Sequence, residues 1–314
     1  MMPSLRAVPL ALLAALMGCA EVPRATPVPA PRPPELAPSP VAERRTAESI
    51  DLETYYARVE ESLLTRGLLR EEGGGLDAAW DAEMVQAAYL RTALFQEYTE
   101  IDGRLVLRES PNTIRRWSEP VTIEPRFDAL IPQDERDADL AFIRAYADRL
   151  TRVTGHPVRV VAKGGNFPVL ILYDARRKRS DAALKRAIPG LPEAALEAIR
   201  SLPRATYCTL IVSDAGDDGR ITNAVSVIRA ELPDKLRRAC IHEEIAQGLG
   251  LTNDSGDARP SLFSDDDEWA RLTELDEALL RIHYHPDLSP GMTAEEALPV
   301  ATRLAPAFAP DPST

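Results

Sequence analysis

Glu243-Glu244-Ile245-Ala246-Gln247-Gly248-Leu249-Gly250-Leu251-Thr252-Asn253 is the stretch on which the reading of this chain turns. Gln247 follows Glu243 by four positions, so on a helix both side chains rise from one face, a turn apart. Gly250 then supplies a turn that can bring Asn253 or Asp254 back toward them, giving an oxygen-rich set of carboxylates and amides. Such oxygens suit calcium, magnesium or manganese, whereas zinc sites are built mainly from imidazole and thiolate. No metal and no cofactor is therefore expected, and a hard divalent cation is the one metal class these donors favour. The simpler reading has the polar side chains hydrogen-bonding one another.

The N-terminus sets the compartment. Arg6 precedes an apolar stretch from Ala7 to Met17, and Leu16-Met17-Gly18-Cys19 closes it. The stretch is too short for a permanent membrane span and reads as a cleaved export signal. Its end looks like a bacterial lipoprotein signal, which implies lipidation of Cys19 and a periplasm-facing protein held in the membrane through its N-terminal lipid. Ala20 after the cysteine points to the outer membrane. Residues 20–46 are rich in Pro and Ala with few large apolar side chains, so they read as an extended tether.

Beyond the tether, roughly 265 residues remain, enough for a well-buried core. A formal net charge of -12 argues against nucleic acid as a partner, since phosphate binding needs a basic surface. Cys208 and Cys240 are the only cysteines besides Cys19. In an oxidising compartment they are expected to form a disulfide that ties a strand to the start of the helix carrying Glu243.

Apolar periodicity predicts a helix over residues 47–70, ended by Gly73-Gly74-Gly75, and a second from about Ala78 to Thr99. These form an N-terminal helical segment, residues 47–110, whose aromatics Trp80, Tyr89, Phe95 and Tyr98 read as core. Strands and helices then alternate through residues 111–306: strand-like Trp117 to Pro125, helix Asp137 to Val153, strands His156 to Ala162 and Asn166 to Tyr173. An interrupted helix from Asp181 to Ser201 follows, then strands Thr206 to Val212 and Ala224 to Ala230, before Asp234 opens the long helix. Residues 307–314 are left as a tail.

The quoted run has the spacing of the metzincin zinc-protease helix, H-E-x-x-H-x-x-G-x-x-H, without its three histidines. It resembles a degenerate form of that motif. Glu243, Gln247 and Asn253 stand at the metal-ligand positions, Glu244 at the catalytic glutamate and Gly250 at the turn glycine. Ser261-Leu262-Phe263 is similar to the tight turn under the metal, with Phe263 in place of methionine, and Thr273 to Tyr284 to the closing helix. From Cys240 through Asn253-Asp254 to Pro290-Gly291-Met292 the chain also resembles a proteobacterial family known as domain of unknown function 2927, several members of which are described as candidate lipoproteins. Together these resemblances imply an α+β, zincin-like fold: a mixed twisted sheet packed on an active-site-type helix, an edge strand bordering a cleft, and an N-terminal helical layer. They imply no reaction.

Other polar residues offer less. His242 begins the letters H-E in a shifted frame, but Ala246 lies four positions on, so that frame lacks a second ligand; a partly exposed structural histidine is expected. His283 and His285 form an H-x-H whose favoured reading is a role at a helix C-terminus. Asp265-Asp266-Asp267-Glu268 lacks the spaced ligands of a calcium loop and reads as a solvated turn. The sequence thus supports a lipid-anchored envelope protein whose non-catalytic metzincin-like domain binds a peptide or cell-envelope protein. The alternative is a zinc-independent hydrolase using Glu244 as base with a second carboxylate, Asp254 being the better placed. A plain structural role in an envelope assembly is the third reading.

Overall fold

The structure is a computed structural model that describes residues 44–73, 77–101, 104–256, 258–264 and 266–310, with the backbone alone for 96–101 and 104–109. The expected signal and lipidated Cys19, and the tether up to residue 43, lie outside these residues.

Five strands form the central sheet: β4 (Val121–Phe127), β5 (Val158–Val160), β6 (Phe167–Leu172), β7 (Cys208–Ser213) and β9 (Asn223–Arg229), in the order β5-β4-β6-β9-β7. The β5, β4, β6 and β9 strands run parallel, with Ile123 opposite Phe167 and Leu172 opposite Arg229. At the edge, β7 runs antiparallel to β9, with Cys208 opposite Ile228 and Ser213 opposite Asn223. A short parallel pair, β3 (Arg116–Trp117) with β8 (Arg220–Ile221), lies apart from it.

Phe167-Pro168-Val169-Leu170-Ile171-Leu172 is buried throughout. A strand covered on both faces reads as a continuous apolar run, and this one is. Phe167, Val169 and Ile171 join the larger core with Ile143, Tyr146 and Leu150 of helix α3 (Gln133–Thr154) and Leu236, Ile241 and Ile245 of α7 (Asp234–Gln247). Leu170 and Leu172 face the other way, with Leu184 of α5 (Asp181–Ala187) and Leu196 and Ile199 of α6 (Glu193–Arg200). Helices thus cover both sides of the sheet, giving a mixed α/β architecture.

Helix α1 (Ala47–Thr65) begins where its Thr46 cap accepts a hydrogen bond from the Ser49 N–H, and it buries Leu52, Tyr56 and Leu63 in the larger core. The second helix, α2 (Ala82–Leu94), is shorter than its apolar periodicity predicts. At Phe95 the chain becomes an antiparallel hairpin of β1 (Phe95–Ile101) and β2 (Arg104–Pro111). The physical reason stands in the sequence: Asp102-Gly103 is a strong two-residue turn signal between segments with Thr99, Ile101 and Val106, residues that favour strands. The expected interrupted helix from Asp181 to Ser201 is two helices with Pro189 and Pro192 between them, and a short α4 (Asp174–Arg177) precedes them.

Helices α8 (Glu274–His283) and α9 (Ala294–Phe308) each begin in a capping box, Thr273 with Asp276 and Thr293 with Glu296.

Candidate functional site at the motif turn

Helix α7 starts at Pro233, which supplies no side-chain cap. The missing acceptor comes from α1, where Glu60 Oε2 accepts a hydrogen bond from the Leu236 N–H at 3.0 Å. Arg237 sets the helix on α3 by donating from Nε to buried Asp139 at 2.7 Å and from Nη1 to Leu232 O at 3.0 Å. A disulfide between Cys208 and Cys240, with Cα atoms 6.0 Å apart, joins edge strand β7 to the same helix, as the cysteine count predicts. The Glu243 carboxylate and the two sulfurs all lie within 4.8 Å of one another.

The helix ends in a turn that only glycine fits at two places. A Cβ on Gly248 would stand 2.3 Å from the Phe167 ring, and one on Gly250 would stand 1.9 Å from Arg115 O and 2.4 Å from His283 Nε2. Gly250 also has φ of +120°, which L side chains rarely adopt. The exposed carbonyls of the helix end are taken up by donors from elsewhere: Trp117 Nε1 donates to Gly248 O at 2.8 Å, and Tyr284 Oη donates to Leu249 O at 2.9 Å.

Gly250 does return the chain toward the helix, and Asp254 is the residue that meets it: Gln247 Nε2 donates to Asp254 Oδ1 at 2.7 Å. Asn253 turns instead to α2. It is buried, its Nδ2 donates to Arg91 O at 3.0 Å and its backbone N–H to Thr92 O at 3.2 Å. Glu244 is 4 % exposed. Glu243 thus sits with the disulfide, Gln247 with Asp254, and Asn253 with the end of α2. Two of the three motif positions are carboxamides, which offer a metal only their oxygens while their N–H groups meet Asp254 and Arg91; this set fits a hydrogen-bonded turn and lacks the imidazole and thiolate of zinc sites.

The histidines do not build a metal site among the described residues. His242 is buried, not partly exposed as expected: its ring lies stacked 3.7 Å from that of Tyr146 and 4.9 Å from that of Phe142. Its Nδ1 accepts from the Leu272 N–H at 3.1 Å, and burial, with Arg271 and Arg149 nearby, pushes its pKa well below the usual histidine range. His283 is fully buried at the end of α8, where its Nε2 donates to Arg115 O at 2.9 Å and its Nδ1 accepts from Tyr89 Oη at 3.2 Å. Burial lowers its pKa to about 4. His285 turns elsewhere, its Nδ1 accepting from the Asp287 N–H.

Beneath the turn, Asp276 is the residue the sequence reading passed over. Its fully buried carboxylate accepts from Ser261 Oγ at 2.5 Å, the Leu262 N–H at 2.9 Å and the Thr273 N–H at 2.8 Å. Burial nonetheless raises its pKa, against these hydrogen bonds. Asp276 therefore locks Ser261-Leu262-Phe263 to the start of α8. The Thr-x-x-Asp spacing was the available signal, although it announced only the cap. In the acidic run, Glu268 is no solvated side chain but the ion-pair partner of Arg259 and Arg70, at 2.8 and 3.3 Å.

Fold and site together define a mixed α/β protein in which a glycine-dependent polar turn closes a helix disulfide-linked to the sheet edge. The chain belongs to the family described as Protein of unknown function (DUF2927), which matches residues 82–303. No curated protein matches the chain, and no solved structure does.

Proposed function

We propose that the protein is a lipid-anchored envelope protein whose degenerate metzincin-like domain binds an extended peptide, or an extended segment of an envelope protein, without zinc chemistry. A mostly parallel sheet with one antiparallel edge strand, followed by the motif helix, is consistent with the zincin-like reading. The anchor rests on the Leu16-Met17-Gly18-Cys19 sequence.

The observation that carries the binding role is β7. It is the last strand of the sheet, half-buried along its whole length, and among the described residues no strand pairs with its outer side. The Arg229 N–H donates to Tyr207 O, which fixes the alternation so that the backbone groups of Cys208, Leu210 and Val212 point outward. An extended peptide adds to such an edge through main-chain hydrogen bonds, and side-chain pockets provide selectivity. The Cys208–Cys240 bond holds this edge beside Glu243 and the motif turn. Against hydrolysis, Glu244 is too enclosed to present a base to substrate, and the Asp254 carboxylate already receives the Gln247 amide.

The test is selection of binders from a peptide library, followed by amide hydrogen exchange on the complex. Slower exchange at Leu210 and Val212, with intact peptide recovered and binding lost in Val212→Pro, supports the reading. Cleavage of the bound peptide that disappears in Glu244→Gln contradicts it. Separately, Cys19→Ser should move the protein from the membrane to the soluble fraction, and retention at the membrane would reject the anchor.

A further inference from the structure

At the end of the sheet away from the motif turn, the carboxyl ends of β6 and β9 open onto a cavity of about 160 Å³ between α1, α4 and the segment after α6. Arg177, Lys178, Arg200, Arg204 and Arg229 line it, with Asp174 and Glu48 as the acids. In a chain of net charge -12 this is a local reversal of sign. Two of the cations are neutralised nearby: Arg200 pairs with Asp181, Glu193 and Glu197, and Arg204 with Asp51.

The other three converge on one carboxylate. Asp174 lies 2.5 Å from Arg177, 2.8 Å from Lys178 and 4.0 Å from Arg229. Arg177 and Arg229 are each 1 % exposed, a costly state for two like charges unless acceptors surround them. Backbone carbonyls supply some: Ile199 O and Arg200 O accept from Arg177, and Thr206 O, Leu202 O and Pro203 O accept from Arg229. They do not suffice. Among the described residues, Arg177 Nε is buried with no acceptor, and for Arg229 Nη1 the carboxylate is Asp174 at 4.0 Å.

Glu231, just past β9, turns one oxygen away from the three cations. Its Oε1 accepts from Ser49 Oγ at 2.8 Å and from the Asp174 N–H at 2.7 Å, while Oε2 is buried without a partner among the described residues. Arg177, Lys178 and Arg229 against Asp174 and Glu48 leave about one positive charge at the wall, and the unmatched Arg177 Nε donor adds a place for an anionic oxygen, a combination that suits a phosphate group. The position agrees, because ligands of open α/β sheets collect outside the carboxyl ends of parallel strands.

We propose that this cavity is a binding site for a phosphate group, held by Arg177, Lys178 and Arg229. The group is free inorganic phosphate or the headgroup of an anionic lipid such as phosphatidate. The site is independent of the edge strand and of the motif turn, so neither reading depends on the other.

The experiment uses the folded protein and titrates inorganic phosphate, with chloride at matched ionic strength as control, by calorimetry and by thermal midpoint. Vesicles of phosphatidylcholine with and without phosphatidate form the second arm. Saturable binding of phosphate alone assigns the free anion, and binding of phosphatidate vesicles competed by phosphate assigns the headgroup. Lys178→Ala, at a half-exposed position, should fold normally and weaken either binding by about tenfold, the loss of one charge-assisted contact. Arg229→Gln should abolish it. Failure of both phosphate and vesicles to bind beyond the chloride control, or binding unchanged in Lys178→Ala, overturns the proposal.

Discussion

At the amino ends of the parallel strands, Gly248 and Gly250 press backbone against Phe167, Arg115 and His283, and Trp117, Gln247, Asn253 and Tyr284 each meet a protein partner. At the carboxyl ends, Arg177 and Arg229 surround a cavity with more donors than acceptors. The motif that draws the eye in the sequence is a packed structural joint. The unresolved electrostatics lie at the opposite end, in residues that form no motif. Motif spacing alone therefore says little about a ligand, and unsatisfied charge is the better pointer to one.

Substitutions should separate these two ends. Gly250→Ala is expected to have the largest effect, a loss on the order of 4 kcal/mol or no folded protein, because the new Cβ meets Arg115 O and φ is +120°. Chemical denaturation measures it, and a near-neutral result would mean the joint is soft. Cys240→Ser opens a cross-link spanning 32 residues and should cost about 3–4 kcal/mol in the chain-entropy model. Since the bond anchors β7, peptide binding should weaken with it while phosphate binding stays, a contrast that titration of both ligands in the variant would read.

Acid should act on the same side of the sheet. His283 has a folded-state pKa of about 4 against an ordinary value of 6.5, so the unfolded chain binds the extra proton first. Stability from this group is full above pH 6.5 and falls as pH drops toward 4, by about 3 kcal/mol. His242, also depressed, adds in the same direction. Unfolding midpoints at pH 7 and pH 4.5 test this, and His283→Gln should flatten the profile; an unchanged slope would place the acid sensitivity elsewhere. Lys178→Ala should have the smallest effect, under about 0.5 kcal/mol in the ligand-free protein, because an ion pair with one half-exposed partner contributes little. A large loss would make the carboxyl-end cluster structural as well.

Much of the fold was legible because local pattern decides it. The apolar run Phe167 to Leu172, the strand from Asn223 and the helix opening at Asp234 all stand near their predicted places, and the disulfide followed from three cysteines of which one was already spoken for. The hairpin at Phe95 was missed because helical periodicity in the preceding residues outweighed Asp102-Gly103. The ionic cavity was invisible for another reason. Ser49, Asp174, Arg177 and Glu231 meet only after α1 docks across the strand ends, and nothing in their spacing announces it. Charged residues abutting a buried strand, Leu172-Tyr173-Asp174 and Ile228-Arg229, were the faint trace they left.

The most direct test is elemental analysis of the protein purified without chelator, run beside a peptide-hydrolysis assay on the same sample. A polar turn in which Gln247 and Asn253 spend their amides on Asp254 and Arg91 predicts far less than one zinc per chain and intact peptides. One full equivalent of zinc, with hydrolysis that vanishes in Glu244→Gln, would contradict it.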